Sequence, residues 1–572
     1  MIKMANLFNS IRTVRPGRSV FDLGHESRLT CNLQQGIPII CEPIVPGDTI
    51  SDTVEVLVRL APLQAPMMQR INCYVHFFFV PYRLIWRDWE KFVTRGQNGQ
   101  LAPEWPTVSF GSGQSAKSYL SSGSLMDYLD FPSIPSDDSS FEPENYNVSR
   151  QYDLLPLRAY WKVWNDYYRD ENLSEDIFDE DTSSLYDFLT GSGNYDGVSD
   201  AGLVYFEPFN RAWEKDYFTS ALPWAQRGST VEMPLGDQAP LKYVYDVDKP
   251  TLVNVPGNGS SGPLSNLVTS NLTPVDSSRE AGPLERNVGN SGSIQGGISL
   301  DVSDSTFADL SNAQGVSINT LRRAFKLQEW LEKTARGGYR YIEQIYSHFG
   351  VRSSDKRLQR PEYLGGGISP VVVSEVMQTS ASTSDSPLGN LGGYAASRMV
   401  SHRCKYFAEE HGLLLGIMSI MPKASYYQGT PRKWLKRHVT DLYWPSFAHL
   451  GEQPIMNMEL YDDMSLGNVP ADEVSDESQS NINNSTFGYT PRYAEYKFIA
   501  SKLHGDFRES LRFWTMARSF SSSPSLTEAF ITASPSNDPF VVIDNDVHHC
   551  WVQIYHNLRA VRPMPKYGTP LF

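Results

Sequence analysis

Two runs, TVEVLVRLAP at residues 53–62 and INCYVHFFFV at 71–80, decide the fold class. The first alternates Val54, Val56, Val58 and Leu60 with Glu55 and Arg59, and only Leu57 breaks the polar side, so it reads as a strand with one buried face. The second is nearly continuous in apolar residues and reads as a strand buried on both faces. Prolines at 38, 43, 46, 62, 66 and 81 punctuate these runs. Strand-like composition returns late in the chain, in PVVVSEV at 370–376, HGLLLGIMSIMP at 411–422, AEYKFIA at 494–500 and VHHCWVQIYHNLRAVRP at 547–563. Strands at both ends must pair with one another to satisfy their edges, and the usual solution for many antiparallel strands is a jelly roll or closed barrel.

Between the two groups the pattern changes. Residues 157–172, LRAYWKVWNDYYRDEN, place Trp161, Trp164, Tyr167 and Tyr168 at helical spacing. Such a stripe is either a base-stacking platform or, more commonly, core or subunit contact. Residues 228–314 are rich in Gly, Ser, Asn and Pro and cannot bury a core of their own. Within them LKYVYDV at 241–247 and ISLDV at 298–302 are strand-like, suited to pairing with the same segment of neighbouring copies. Residues 317–367 are helical in their first half. Ile318, Leu321, Phe325 and Leu331 form a stripe expected to be buried, with Ser317 as N-cap and Gly337 and Gly338 as the stop. A second helix presents Tyr339, Ile342, Ile345, Tyr346 and Phe349, expected to be its buried face, and ends at Gly350.

The motifs GGYRYIEQIYSHFGV (337–351) and RLQRPEYLGGG (357–367) resemble the central signature of the major capsid proteins of gokushovirus-type microviruses, small tailless phages with circular single-stranded DNA. In the same order, NLFNSIRTVRPGRSVFDLGHESRLT (6–30), YWPSFAHLGEQPI (443–455), FGYTPRYAEYKF (487–498) and RPMPKYG (562–568) resemble that family too. The resemblance implies an eight-stranded antiparallel viral jelly-roll barrel with very large helical and loop insertions. It also implies a structural subunit of a small icosahedral (T=1-like) capsid, in a virion assembled in the host cytoplasm. The partners it implies are further copies of the chain, the single-stranded genome, a small basic DNA-binding protein, an internal scaffolding protein, a DNA pilot protein and a host-cell receptor bound by the variable surface insertion. The corresponding division is an extended arm (1–30), the first part of the jelly roll (31–84), a loop and helix insertion (85–227), a surface protrusion (228–314), a helical connector (315–367) and the remaining strands (368–572).

Composition is compatible with this reading. The chain of 572 residues is 40% hydrophobic and 12% aromatic, with 30 Tyr and 12 Trp, residue types that suit large interfaces. No run of about 18 apolar residues and no signal-peptide core is present, so a cytoplasmic origin is expected. Five widely spaced cysteines, without a C-x-x-C pair, fit reduced thiols better than disulfides or zinc. A net charge of -15 argues against a surface that coats nucleic acid throughout. Positive charge is local instead, in Lys3, Arg12, Arg15 and Arg18, in the central helices, and in Arg432, Lys433, Lys436 and Arg437. Because Trp434 interleaves with that last cluster, these residues and the N-terminal arm are the candidate single-strand contacts. Tyr363, Tyr443, Trp444 and Phe447 are the candidate subunit-interface anchors, and Trp444 is expected to be costly to truncate if buried.

Catalytic patterns are weak. His548 and His549 adjoin Cys550 on a strand pattern that sends neighbours to opposite faces. His402 and Cys404 lack further ligands at useful spacing, and GGG at 365–367 lacks the Lys-Ser/Thr of a phosphate loop. The expectation is a non-enzymatic protein without cofactor or metal. The competing reading is a lectin-like jelly roll whose Trp and Tyr stack on sugars.

Overall fold

A computed structural model describes residues 17–95, 103–110, 119–134, 150–181, 185–196, 205–228, 231, 241–243, 253–254, 299–300, 306–308, 318–338, 340–379, 388–465, 482–544 and 546–567. Eight barrel strands organise it: β1 (His25–Cys31), β2 (Ile37–Ile44), β3 (Val54–Leu60), β4 (Ile71–Pro81), β5 (Glu362–Met377), β6 (Leu391–Val400), β7 (Gly412–Pro422) and β8 (Cys550–His556). Their order is β1-β8-β3-β6-β5-β4-β7-β2, with every pairing antiparallel. That order is a jelly roll, two four-stranded sheets, 1-8-3-6 and 5-4-7-2, wound as Greek keys into a nearly closed barrel. Strands near the start of the chain thus hydrogen-bond to strands near its end, as their unpaired edges require.

The long strand β5 joins the two sheets. From Glu362 to Val371 it pairs with β4, and from Val372 to Met377 it pairs with β6. The glycines at 365–367 explain how it turns. The register shifts between Tyr363 and Gly365, Gly365 has φ +112°, and a Cβ on Gly366 would overlap the Val75 carbonyl oxygen. Backbone here lies closer to backbone than any side chain permits.

The alternation read in residues 53–62 appears as burial: Val54, Val56, Val58 and Leu60 point between the sheets with Val75, Phe77, Met418 and Ile554. On the other side of β4 and β7, Phe78, Val80, Leu413 and Leu415 pack against the insertion that follows β4. One sheet is therefore buried on both faces. Helix α1 (Leu155–Val163) continues into a π-helical turn, Trp164–Tyr168, and Trp161 is fully buried in this second core. The aromatic stripe is core. Arg158, also buried, donates to the Phe188 (3.0 Å), Ile85 (3.2 Å) and Gly191 (2.8 Å) carbonyls, closing the insertion around carbonyls that would otherwise lack donors.

The chain divides into two compact units, one formed by Met1–Gly228 with Leu331–Phe572 and the other by Ser229–Trp330. In the second, Leu241–Tyr243 pairs antiparallel with Thr306–Ala308, and Val253–Asn254 with Ser299–Leu300. The described parts of the strand-like runs, 241–243 and 299–300, thus find partners within the same chain, and the remainder of both runs lies outside the described residues.

Three local expectations change. AEYKFIA is a helical turn, Ala494–Lys497, entered through Tyr493 in the left-handed region (φ 62°). Helices α2 (Ile318–Gly337) and α3 (Tyr341–Phe349) form where expected, and Gly338 (φ +104°) and Gly350 (φ +70°) end them. Their apolar stripes, however, are only partly buried: Leu321, Leu331, Ile342 and Ile345 are half-buried, whereas Phe325 is 65% exposed, Phe349 80% and Tyr346 also open, and Tyr339 and the Ile318 side chain lie outside the described residues. Periodicity reports that a face is apolar, not what covers it. Ser317 lies outside the described residues.

Replacing Gly366 by Ala forces β4 and β5 apart. Thermal unfolding of the variant is expected to show a loss of about 1–3 kcal/mol, the usual cost of overpacking. An unchanged melting temperature would remove the close-approach argument.

Candidate nucleic-acid interface and subunit surfaces

The Lys and Arg residues of 432–437 do different jobs. Residues Arg432–Trp434 form a single 3-10 turn. Arg432 turns inward: its Nη1 donates to Glu459 Oε1 at 3.0 Å and to the Pro454 carbonyl. Glu459 is buried, which pushes its carboxyl up, and it also accepts from the Tyr217 hydroxyl (2.8 Å) and the Met456 amide (3.0 Å). The Arg432 charge is thereby matched inside the protein. Lys433, Trp434 and Arg437 are exposed. The Lys433 ammonium sits 4.8 Å from the Trp434 ring, itself 66% exposed, and Lys436 lies 4.0 Å over Tyr496.

The fold adds side chains from residues 498–508 that the sequence did not single out. Lys433 and Trp434 line a cleft of about 310 Å³ together with Phe498, Lys502, His504 and Arg508. The Lys502 ammonium is held below its usual range by partial desolvation and by the Lys433 ammonium beside it. Two neighbouring ammonium groups in a cleft walled by aromatic rings, with Glu459 and Glu495 also in the lining, are an arrangement that an anion relieves. The sequence signal was available, since KLHGDFR carries Lys502, His504 and Arg508 at short spacing. Only the fold shows that it meets residues 433–434.

Of the arm, Lys3, Arg12 and Arg15 lie outside the described residues. Arg18 rests 5.6 Å from the Phe407 ring and, with Arg562, opposes the effect of burial on the Asp48 carboxyl, whose pKa is nonetheless raised. Tyr363 stands on β5 in a ring cluster with His76 (5.9 Å) and Phe78 (5.5 Å), half-exposed. Tyr443 packs on Tyr493 (5.1 Å), and the Trp444 indole donates to the Val439 carbonyl (2.9 Å) while the residue stays 45% exposed. Phe447 is partly buried. Since Trp444 is not buried in the single chain, truncating it removes surface contact, and the folding cost of a buried Trp does not apply.

A carboxylate pair fastens α3 to the insertion. Arg340 Nη1 lies 3.3 Å from Glu171 Oε2 and 3.6 Å from Glu343 Oε1, and its Nη2 donates to the Asn165 and Arg169 carbonyls at 3.1 Å. Burial, with the Glu171 carboxylate beside it, pushes the Glu343 carboxyl up to about 7.

Among the described residues no group of three or more His, Cys, Asp or Glu is placed to hold a metal ion, and no helix is long and apolar enough to cross a membrane. His548 shares a 2.8 Å hydrogen bond with Thr30, and His549 one of 3.1 Å with Asn32 and one of 2.8 Å with the Val542 carbonyl. The two rings are committed to different neighbours. All five cysteines are free, and burial raises the pKa of Cys41, Cys73 and Cys404, which makes them poor nucleophiles.

Comparison with known proteins decides the family. The family model described as capsid protein (F protein) matches residues 9–572. The chain belongs to the F-type phage capsid protein family. It is 35% identical to the capsid protein VP1 of Chlamydia phage 1, over 99% of this chain and 98% of that protein. Capsid protein VP1 of Bdellovibrio phage phiMH2K is 34% identical over 98% and 97%, and that of Spiroplasma virus 4 is 29% identical over 97% and 95%. The resemblance read in the ordered motifs therefore holds along the whole chain. The capsid family's role is structural, its members are virion components, and self-assembly follows from that role.

Glu343 supplies a pH test. Its folded value lies above the ordinary 4.5, so the folded state keeps a proton that the unfolded chain releases, and stability falls as pH rises from about 4.5 to about 7. Glu343→Gln is expected to flatten that fall and to melt higher than the parent at pH 8. Identical pH profiles of melting temperature would show that the pair carries no such strain.

Proposed function

We propose that the chain builds a small icosahedral, T=1-like shell around circular single-stranded DNA. The observation that carries this reading is the capsid family match over residues 9–572 on a barrel with the jelly-roll strand order. The exposed aromatic and aliphatic side chains on α2, α3 and residues 439–450 support it, because a lone soluble protein gains nothing from leaving them in water. Assembly in the host cytoplasm, with an internal scaffolding protein and a DNA pilot protein, completes the proposal. A jelly-roll lectin is disfavoured by the family match.

Residues 228–314 serve as the host-attachment protrusion. A chain lacking residues 256–296 is expected to form closed shells, seen by electron microscopy and sedimentation, while attachment to host cells falls at least tenfold. Undiminished attachment removes the receptor role. Loss of shells from the full-length chain as well would remove the assembly reading.

The cleft of Lys433, Trp434, Lys502, His504 and Arg508 takes the genome strand, with a base on Trp434 and a phosphate between the two lysines. Arg432, bound to Glu459, positions the turn. With a net charge of -15, the chain neutralises only part of the genome, and a separate small basic protein supplies the rest. Converting Lys433 and Lys502 to Ala is expected to weaken oligothymidylate binding about tenfold and to lower the slope of log affinity against log salt by about 0.7, the contribution of the one phosphate held between them. Trp434→Ala is expected to lower affinity with the slope unchanged. Equal affinity and slope in all three proteins would exclude this cleft as a strand site.

A further inference from the structure

The barrel is not fully closed. Strand β1 pairs only with β8 and β2 only with β7, so each leaves an edge without a strand neighbour among the described residues. A groove of about 1400 Å³ runs along these edges, lined by residues 25–30 of β1, residues 38–42 of β2 and the outward side chains Leu57, Arg59, Trp551 and Gln553. At its far end the Tyr128 hydroxyl donates to the Thr30 carbonyl (2.6 Å). An exposed strand edge is a template for one more strand, and burying it without a partner would waste backbone donors and acceptors.

The groove is acidic. Its walls carry Glu26, Glu42, Asp127, Asp130 and Asp546 against Arg28 and Arg59. Arg28 is taken by Glu26 at 3.0 Å, whereas Glu42, Asp127, Asp130 and Asp546 have no ion-pair partner among the described residues. The two histidines at the groove, His25 and His548, bond the Leu23 carbonyl and Thr30, and burial lowers the His548 pKa so that it adds no positive charge near neutrality.

A segment with the complementary properties belongs to the same chain. Residues 1–16, MIKMANLFNSIRTVRP, contain Lys3, Arg12 and Arg15 and no acidic residue, and Ile11, Thr13 and Val14 favour an extended strand. Sixteen extended residues reach roughly 55 Å, more than twice the roughly 23 Å of a seven-residue strand such as β1. The first described residues place Arg18 on Phe407 and close to Gly47, and neither residue belongs to the groove wall. We infer that the acidic edge groove between β1 and β2 receives the basic N-terminal arm of a neighbouring copy, which adds a strand to the β1 edge and ties subunits together. The inference rests on self-assembly of the chain but not on a particular shell geometry or on the DNA cleft. It gives Arg12 and Arg15 a protein partner in place of the genome contact expected from sequence.

The test uses full-length chains in assembled particles. In the variant Thr13→Cys with Arg28→Cys, which places the second thiol on the β1 edge strand itself, mild oxidation is expected to yield dimers and longer ladders on a non-reducing gel, reversed by reductant, with neither single variant giving them. A cross-link confined to one chain, or none in intact particles, overturns the inference. If the double cysteine variant gives no particles, charge exchange decides. Arg12→Glu with Arg15→Glu is expected to reduce particle yield at least tenfold, and adding Glu42→Lys with Asp546→Lys is expected to restore it. Failure of that restoration overturns the inference as well. Normal DNA-binding slopes in these variants keep the result separate from the Lys433–Lys502 cleft.

Discussion

The structure depends on one strand belonging to two sheets. β5 bonds β4 through Val371 and β6 from Val372 onward, so the two halves of the jelly roll share a continuous backbone. β4 ends at Pro81 and β5 begins at Glu362, and the chain between must leave and return at fixed points. That fixes the insertions as excursions from one rigid frame, free to vary in length because a longer loop costs little more closure entropy. The expense falls on kinetics: pairing of this sequence separation makes for slow folding.

Burial on one sheet only gives the subunit two unlike sides. The insertion after β4 lays Trp86, Trp161 and Phe206 over the outer face of the β4 and β7 sheet, so that sheet needs apolar residues at consecutive positions. The opposite sheet keeps Glu55, Arg59, Gln553 and Tyr555 outward, and its strands alternate. His556 and Arg562 are tied beside this frame to buried carboxyl groups. His556 Nδ1 meets Asp52 Oδ2 at 2.9 Å with both side chains fully buried, and Arg562 meets buried Asp48 at 3.3 Å. Removing either partner of such a pair is costly even where the pair itself adds little.

How much of this could be read from sequence depended on whether a signal is local. The alternation of 53–62 and the continuous apolar run of 71–80 state their burial directly, because a strand's two faces map onto odd and even positions. The glycines at 337–338 and 350 likewise mark helix ends by backbone freedom alone. AEYKFIA failed because its aromatic and apolar residues suit either state, and the left-handed Tyr493 that starts the turn leaves no trace in composition. The candidate cleft was half legible. Lys433 and Trp434 announce themselves as a basic-aromatic cluster, but Lys502 joins them only through its bridge to Tyr426, and Arg432 reads as one of the group although Glu459 holds it inside.

The apolar stripes on α2 and α3 carry the same lesson further. Among the described residues Phe325, Tyr341 and Phe349 stay exposed, so what the sequence prepared for burial is only partly covered. In a self-assembling shell protein that remainder is an energetic reserve, since each large side chain transferred from water stabilises by about 1.5–3 kcal/mol when a neighbour covers it. A stripe read as a core signal is a burial signal, which the surface of a neighbour can satisfy as well as a core. Helical periodicity cannot separate the two cases, because the same 3.6-residue spacing serves a face turned toward the barrel and a face turned toward another copy. What separates them is the supply of partners: the insertion after β4 brings enough aromatic rings to cover its sheet, whereas Phe325 and Phe349 stay largely exposed among the described residues.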